Sequence, residues 1–71
     1  MSLRKHSFSL SGHRTSVALE PEFWAVLADL AAAEGVALSA IVARVDAARD
    51  AAQPLASALR ITALRSRVPR R

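Results

Sequence analysis

The stretch from His13 to Trp24 constrains this chain most, because the hydrophobic period changes inside it. Thr15, Val17 and Leu19 alternate with Arg14, Ser16 and Ala18, a period of two. From Phe23 onward the apolar residues recur at Phe23, Val26, Leu27, Leu30 and Ala31, a period of about 3.6. A strand therefore runs straight into a helix. Glu20-Pro21-Glu22 marks the junction: proline suits the first helical position, where its missing N–H costs nothing, and the glutamates suit the positive end of the helix dipole. Gly35 is the natural stop, with Val36 placed to fold back on the last turn as a Schellman contact, so the first helix is expected over 21–34.

The residues before this stretch supply a partner strand. Lys5 to Leu10 alternates as well, and Ser11-Gly12 between the two runs predicts a β-hairpin with a two-residue turn over 4–19. That loop pairs Leu10 with His13, Phe8 with Thr15 and His6 with Val17. Phe8, Leu10, Val17 and Leu19 then share a core-facing side, and Lys5, Ser7, Ser9, Arg14 and Ser16 share the other. A slip of one residue would scramble both faces. The alternative is an unpaired, flexible first ten residues.

A second helix is expected over 38–51, with Ile41, Val42, Val45, Ala48 and Ala52 on its buried side and Arg44, Asp46, Arg49 and Asp50 in water. Gln53-Pro54 breaks it, since proline excludes helical geometry from the residue before it. A third helix follows over 54–67, with Leu55, Ala58, Leu59, Thr62 and Ala63 on one stripe and Ile61, Leu64 and Val68 beside it. Residues 68–71 form a frayed basic tail. The fold class is mainly α with a short β ribbon, in one domain over residues 1–71.

A chain of 71 residues buries little apolar surface alone, and with no cysteine it has no disulfide or thiolate staple. Yet 52% of it is apolar, counting alanine, which makes a homodimer the default way to complete the core. The longest apolar segment, Ala25 to Ala33, is interrupted by Asp29 and is far too short to span a membrane. The N-terminus lacks the apolar core of a secretory signal, so a cytoplasmic protein is expected. Charge is uneven: Arg4, Lys5 and Arg14 precede residue 20 without an acid, six acids face Arg44 and Arg49 over 20–53, and five arginines follow Pro54. Basic ends suit a polyanion, although a solvated tail accounts equally for Arg65 to Arg71.

Taken together, Arg14-Thr15-Ser16-Val17-Ala18-Leu19, the stripe Phe23/Leu27/Leu30, the turn Gly35-Val36 and the segment Leu38-Ser39-Ala40-Ile41-Val42 resemble the ribbon-helix-helix family. The run Gly-His-Arg-Thr-Ser-Val-Ala-Leu-Glu with Glu-Phe-Trp, and Leu-Ala-Ser-Ala-Leu-Arg at 55–60, resemble a short bacterial subgroup of it. The resemblance implies an obligate homodimer whose strands pair across a two-fold axis, with a ribbon in the DNA major groove. Carried onto this chain, the base-reading positions are Arg14, Ser16 and Ala18, and the start of the second helix near Leu38 and Ser39 clamps a phosphate. Lys5 joins them as a DNA contact, and Val17, Leu19, Phe23, Trp24, Leu27, Ile41 and Val45 form the dimer core. Two positions depart from the family. Ala37 stands where a serine or threonine often caps the second helix, and Ala18 can touch only a thymine methyl. The predicted hairpin also makes a dimer sheet four-stranded, wider than the two-stranded ribbon that a major groove admits.

Each candidate residue has a plainer role beside the functional one. Arg14 is either bidentate to a guanine or an ordinary exposed strand arginine; Ser7, Ser9 and Ser16 either contact phosphate and sugar or are simply solvated. His6 and His13 face the core side in this register and are too few for a metal site. Trp24, off the main stripe, packs at the dimer seam rather than holding a ligand. Asp46, Arg49 and Asp50 are solvent-facing charges. No nucleophile–base pair, phosphate loop or metal spacing is present, so neither an enzyme nor a cofactor or metal is expected. The expected function is DNA binding by the ribbon, as a transcriptional regulator or antitoxin-like repressor. The alternative is a protein-interaction module that keeps the dimer fold, does not bind DNA and docks a protein partner.

Overall fold

The computed structural model describes residues 2–67, so Val68, assigned above to the flank of the third helix, and the basic tail lie outside the described residues. Strands β1 (Arg4–Leu10) and β2 (His13–Leu19) are followed by helices α1 (Pro21–Glu34), α2 (Leu38–Ala48) and α3 (Leu55–Arg67). The two strands pair antiparallel within the chain, with Leu10 opposite His13, Phe8 opposite Thr15 and His6 opposite Val17. This is the register that the alternation predicts. Phe8, Leu10, Val17 and Leu19 are buried on one face of it.

Both turn residues adopt positive φ, +52° at Ser11 and +79° at Gly12, the backbone a two-residue hairpin turn requires. A Cβ at Gly12 would meet nothing within 4 Å, so alanine there pays only the backbone cost of a left-handed residue. We expect Gly12→Ala to lower the unfolding free energy by about 1–2 kcal/mol in urea denaturation; an unchanged midpoint would mean that the turn is not held in this form.

Helix α1 starts where Pro21 predicts and ends in a Schellman motif. The Val36 amide donates to the Ala31 carbonyl at 3.0 Å and the Gly35 amide to Ala32 at 3.1 Å, with Gly35 left-handed. Helix α2 stops at Ala48, three residues short of the expected end at Ala51. The cause is Asp50, whose carboxylate accepts the Ala52 amide at 2.9 Å and holds the chain in a turn that competes with the helix. Ala48 and Ala52 are consequently exposed, while Ile41, Val42 and Val45 are buried.

The loop after α2 also corrects the placing of Asp46 and Arg49 in water. The Arg49 guanidinium donates to Asp46 at 2.9 Å and to the Gln53 carbonyl at 2.7 Å. Helix α3 then returns across α1, α2 and β2, burying Ala58, Leu59 and Ala63 and leaving Ile61 and Leu64 exposed. Six of the seven residues assigned above to a core shared between two copies are buried within one: Val17, Leu19, Trp24, Leu27, Ile41 and Val45. Phe23 is half-buried against α3, with the Arg60 guanidinium 5.7 Å above its ring. Among the described residues no single helix is long and apolar enough to cross a membrane.

Trp24 is placed by β1. Its indole N–H donates to the Arg4 carbonyl at 2.8 Å, and its ring lies 4.2 Å from His6 and 6.0 Å from Phe8. It is 6% exposed in one chain, so its burial needs no seam with a second copy. The indole thus ties the first turn of α1 to β1. The alternative of a flexible N-terminal segment is thereby excluded.

Candidate nucleic-acid interface

The outer face of the hairpin is a flat array from both strands. Lys5 stands opposite Ala18, Ser7 opposite Ser16 and Ser9 opposite Arg14. These are the positions that alternation turns away from Phe8, Leu10, Val17 and Leu19. Arg14 donates through Nη1 to the Ser9 hydroxyl at 3.3 Å, and the Ser7 and Ser16 hydroxyls share a hydrogen bond of 3.0 Å. Every one of these side chains is exposed except Ala18, which is half-buried. The face thus offers two cations, hydroxyl donors and acceptors, and one methyl, all groups able to meet phosphates or base edges.

Electrostatics separate this face from the rest of the molecule. Four of the five described arginines on or beside the helices are paired with acids: Arg44 bidentate on Glu34 at 2.7 and 2.9 Å, Arg60 on Glu20 at 3.0 Å, Arg49 on Asp46, and Arg67 on Asp29; Arg65 is the exception. Among the described residues Arg4, Lys5, Arg14 and Arg65 have no acidic partner, three of them on the hairpin. The acids of residues 20–50 therefore neutralise most helical arginines, and uncompensated positive charge is left mainly on the hairpin. Arg67, counted with the basic tail by its sequence position, belongs to α3 and to Asp29 instead.

Two of these pairs predict an acid-sensitive fold. Backbone hydrogen bonding, and next Arg60, hold the Glu20 carboxyl below its ordinary value; Arg44 does the same for Glu34. A lowered folded-state value means that the unfolded chain binds protons more readily, so the stabilisation is complete above the ordinary glutamate range and is lost as pH falls through the lowered values. The melting temperature should be flat from neutral pH to about pH 5 and should decline below about pH 4. Both carboxylates are exposed, so the decline is modest; a melting temperature that rises on acidification would contradict both pairs.

Ser39 sits apart from the ribbon. It lies in the first turn of α2, exposed, and the N-cap is Ala37 with no side-chain cap. Ser39 does not take over the cap that Ala37 lacks, and the Leu38 and Ser39 amides open the helix as unpaired first-turn donors. Ser7 and Ser9 belong to the same array as Arg14 and Ser16, as the register read from the alternation places them. Among the described residues no three His, Asp or Glu side chains converge.

A second surface lies between α2 and α3, an open groove of about 370 Å³. Val45, Ala48, Ala58 and Ile61 line it together with Arg44, Arg49 and Arg65.

A two-stranded ribbon leading into α1 and α2, with an exposed polar and basic outer face, defines a class of small ribbon-bearing helical domain. A family model described as a ribbon-helix-helix domain matches residues 3–66, and the chain belongs to that family. Domains of this family are generally DNA-binding regulators or antitoxins that typically homodimerise. No curated protein and no solved structure matches the chain.

Proposed function

We propose that this protein is a homodimeric DNA-binding regulator, of transcription or of the antitoxin type, that lays its β-hairpin in the major groove. It works by binding and carries out no catalysis. Arg14 reads a guanine edge, Ser16 a neighbouring base or phosphate and Ala18 a thymine methyl. Lys5 neutralises a phosphate, and the amides at Ser39 hold a further one. The observation that carries this function is the outer face of the hairpin: Lys5 and Arg14 stand there without an acidic partner among hydroxyls, whereas four of the five described helical arginines are paired with acids.

Fluorescence anisotropy with duplex DNA tests it directly. Affinity should be measurable at low salt and fall linearly in log–log form as salt rises, because phosphate neutralisation releases counterions. No binding to any duplex at low salt would end the DNA assignment.

A second function is favoured by the α2/α3 groove. Its apolar floor, with Ile61 38% and Leu64 60% exposed on the adjacent helix, fits an apolar segment of a protein partner. In that case one protein co-purifies stoichiometrically, no nucleic acid accompanies it, and Ile61→Asp abolishes the complex.

A further inference from the structure

We infer that the α2/α3 groove takes a short acidic amphipathic helix from a different protein, with its apolar residues seated on Val45, Ala48, Ala58 and Ile61 and its carboxylates on Arg44 and Arg65. This rests on the protein-partner function of the groove given above, adds the chemistry of that partner, and is independent of DNA binding by the hairpin.

Both walls of the groove are helical. On α3, Ala58, Ile61, Thr62 and Arg65 recur at i, i+3, i+4 and i+7 and so share one face; on α2, Arg44, Val45 and Ala48 lie close to one turn apart. The stripe from Ala58 to Arg65 is about 10 Å long at the rise of an α-helix. Val45 and Ala58 are buried, whereas Ala48 and Ile61 are exposed and present apolar carbon to solvent. The groove is open along its length. A small molecule there would keep much of its surface in water, while a helix laid between α2 and α3 covers the groove with one apolar face.

The charge of the groove is of one sign: three arginines line it, and no acid does. Arg65 has no acidic partner among the described residues. Arg44 uses two of its five N–H groups on Glu34 and keeps the others. Arg49 is committed to Asp46 and to the Gln53 carbonyl, and it stays part of the wall. An apolar base between guanidinium groups that retain free donors is the complement of an apolar stripe flanked by carboxylates.

A second copy of this chain does not supply that stripe. Of its six acids, Glu20, Asp29, Glu34 and Asp46 are paired with arginines and Asp50 accepts the Ala52 amide; only Glu22 has no such contact among the described residues. The carboxylates therefore come from another protein. Nucleic acid fits less well, because phosphates would engage the arginines and leave the apolar base uncovered.

Fluorescence anisotropy tests the inference, with the full chain and a labelled synthetic helix that carries leucines at i, i+3, i+4 and i+7 and glutamates between them. We expect saturable binding, weakened about tenfold or more by Ile61→Asp and several-fold by Arg65→Glu. Both side chains are exposed, and an unchanged circular dichroism spectrum verifies that the variants fold. Arg14→Ala should leave peptide affinity unchanged, which separates the groove from the hairpin. No binding by the acidic peptide overturns the inference; co-purification of a protein that is lost on Ile61→Asp would then show that the groove docks a partner of other chemistry. Equal affinity for a peptide with glutamines in place of the glutamates overturns the acidic specificity. Displacement of the peptide by duplex DNA from the Arg14→Ala chain would make the groove a nucleic-acid surface and overturn the inference. A lower mass for Ile61→Asp than for the wild type in light scattering would place a second copy in the groove, with the same consequence.

Discussion

Leu59→Ala should be the most damaging single substitution in this protein, lowering its unfolding free energy by about 2–5 kcal/mol. Leu59 is wholly buried on α3, the helix that packs against α1, α2 and β2 together. Truncation there removes apolar burial and leaves a cavity at the junction of four elements. At roughly 0.05–0.15 kcal/mol per residue, a domain of 71 residues has only about 4–11 kcal/mol in total, so this one change consumes much of it. Leu64→Ala is the control on the same helix. That side chain is 60% exposed, and its truncation should stay within about 0.5 kcal/mol. Urea midpoints for the two variants decide the matter: similar midpoints would mean that α3 does not close the core as described.

Arg14→Ala should give the largest loss of DNA affinity, about 1–3 kcal/mol or roughly 5- to 150-fold in Kd, with relaxed discrimination at one base position. The reason is geometric and electrostatic together. Arg14 stands on the outer face beside Ser9 and Ser16, with no carboxylate to compete for its guanidinium. Arg44→Ala is the matched control, because its guanidinium is already held bidentate by Glu34 at the α1–α2 junction. Equal losses from the two variants would mean that affinity follows total charge rather than the ribbon face. The ordering Arg14 far above Arg44 is the signature expected of readout by the hairpin.

The two effects are separable because the hairpin has two chemically distinct faces. Stability resides on the Phe8, Leu10, Val17 and Leu19 side, and the proposed recognition on the Lys5, Ser7, Ser9, Arg14 and Ser16 side. Alternation keeps neighbouring residues on opposite faces, so Arg14→Ala and Ser16→Ala should leave the melting temperature nearly unchanged.

Much of this was legible in the sequence because it depends on neighbours along the chain. Period-two alternation together with the two-residue loop Ser11-Gly12 determined the hairpin register: the loop sets the pairing, and a slip of one residue would move the four large apolar strand residues off a common face. Pro21 and Gly35 determined the limits of α1, through proline's fixed φ and glycine's tolerance of the left-handed region. The Asp50 turn was also written locally, and the apolar alternation of Ala48 and Ala52 concealed it.

Only the tertiary structure decided where the long-range partners lie. Trp24 packs against β1, bonding the Arg4 carbonyl and lying beside His6, a contact between residues 18 and 20 apart that no periodicity reports. Arg60 finds Glu20 and Arg67 finds Asp29 across 40 and 38 residues, once α3 has docked on α1. From composition alone all the basic residues looked equally available to a polyanion. Packing removed Arg44, Arg49, Arg60 and Arg67 by placing acids within 4 Å of them, and left Lys5 and Arg14 free on a strand pair that has no acid. Local sterics set each element, whereas the choice of charge partner depended on how the elements met, because ion pairing falls off over a few ångströms in space and is indifferent to distance along the chain.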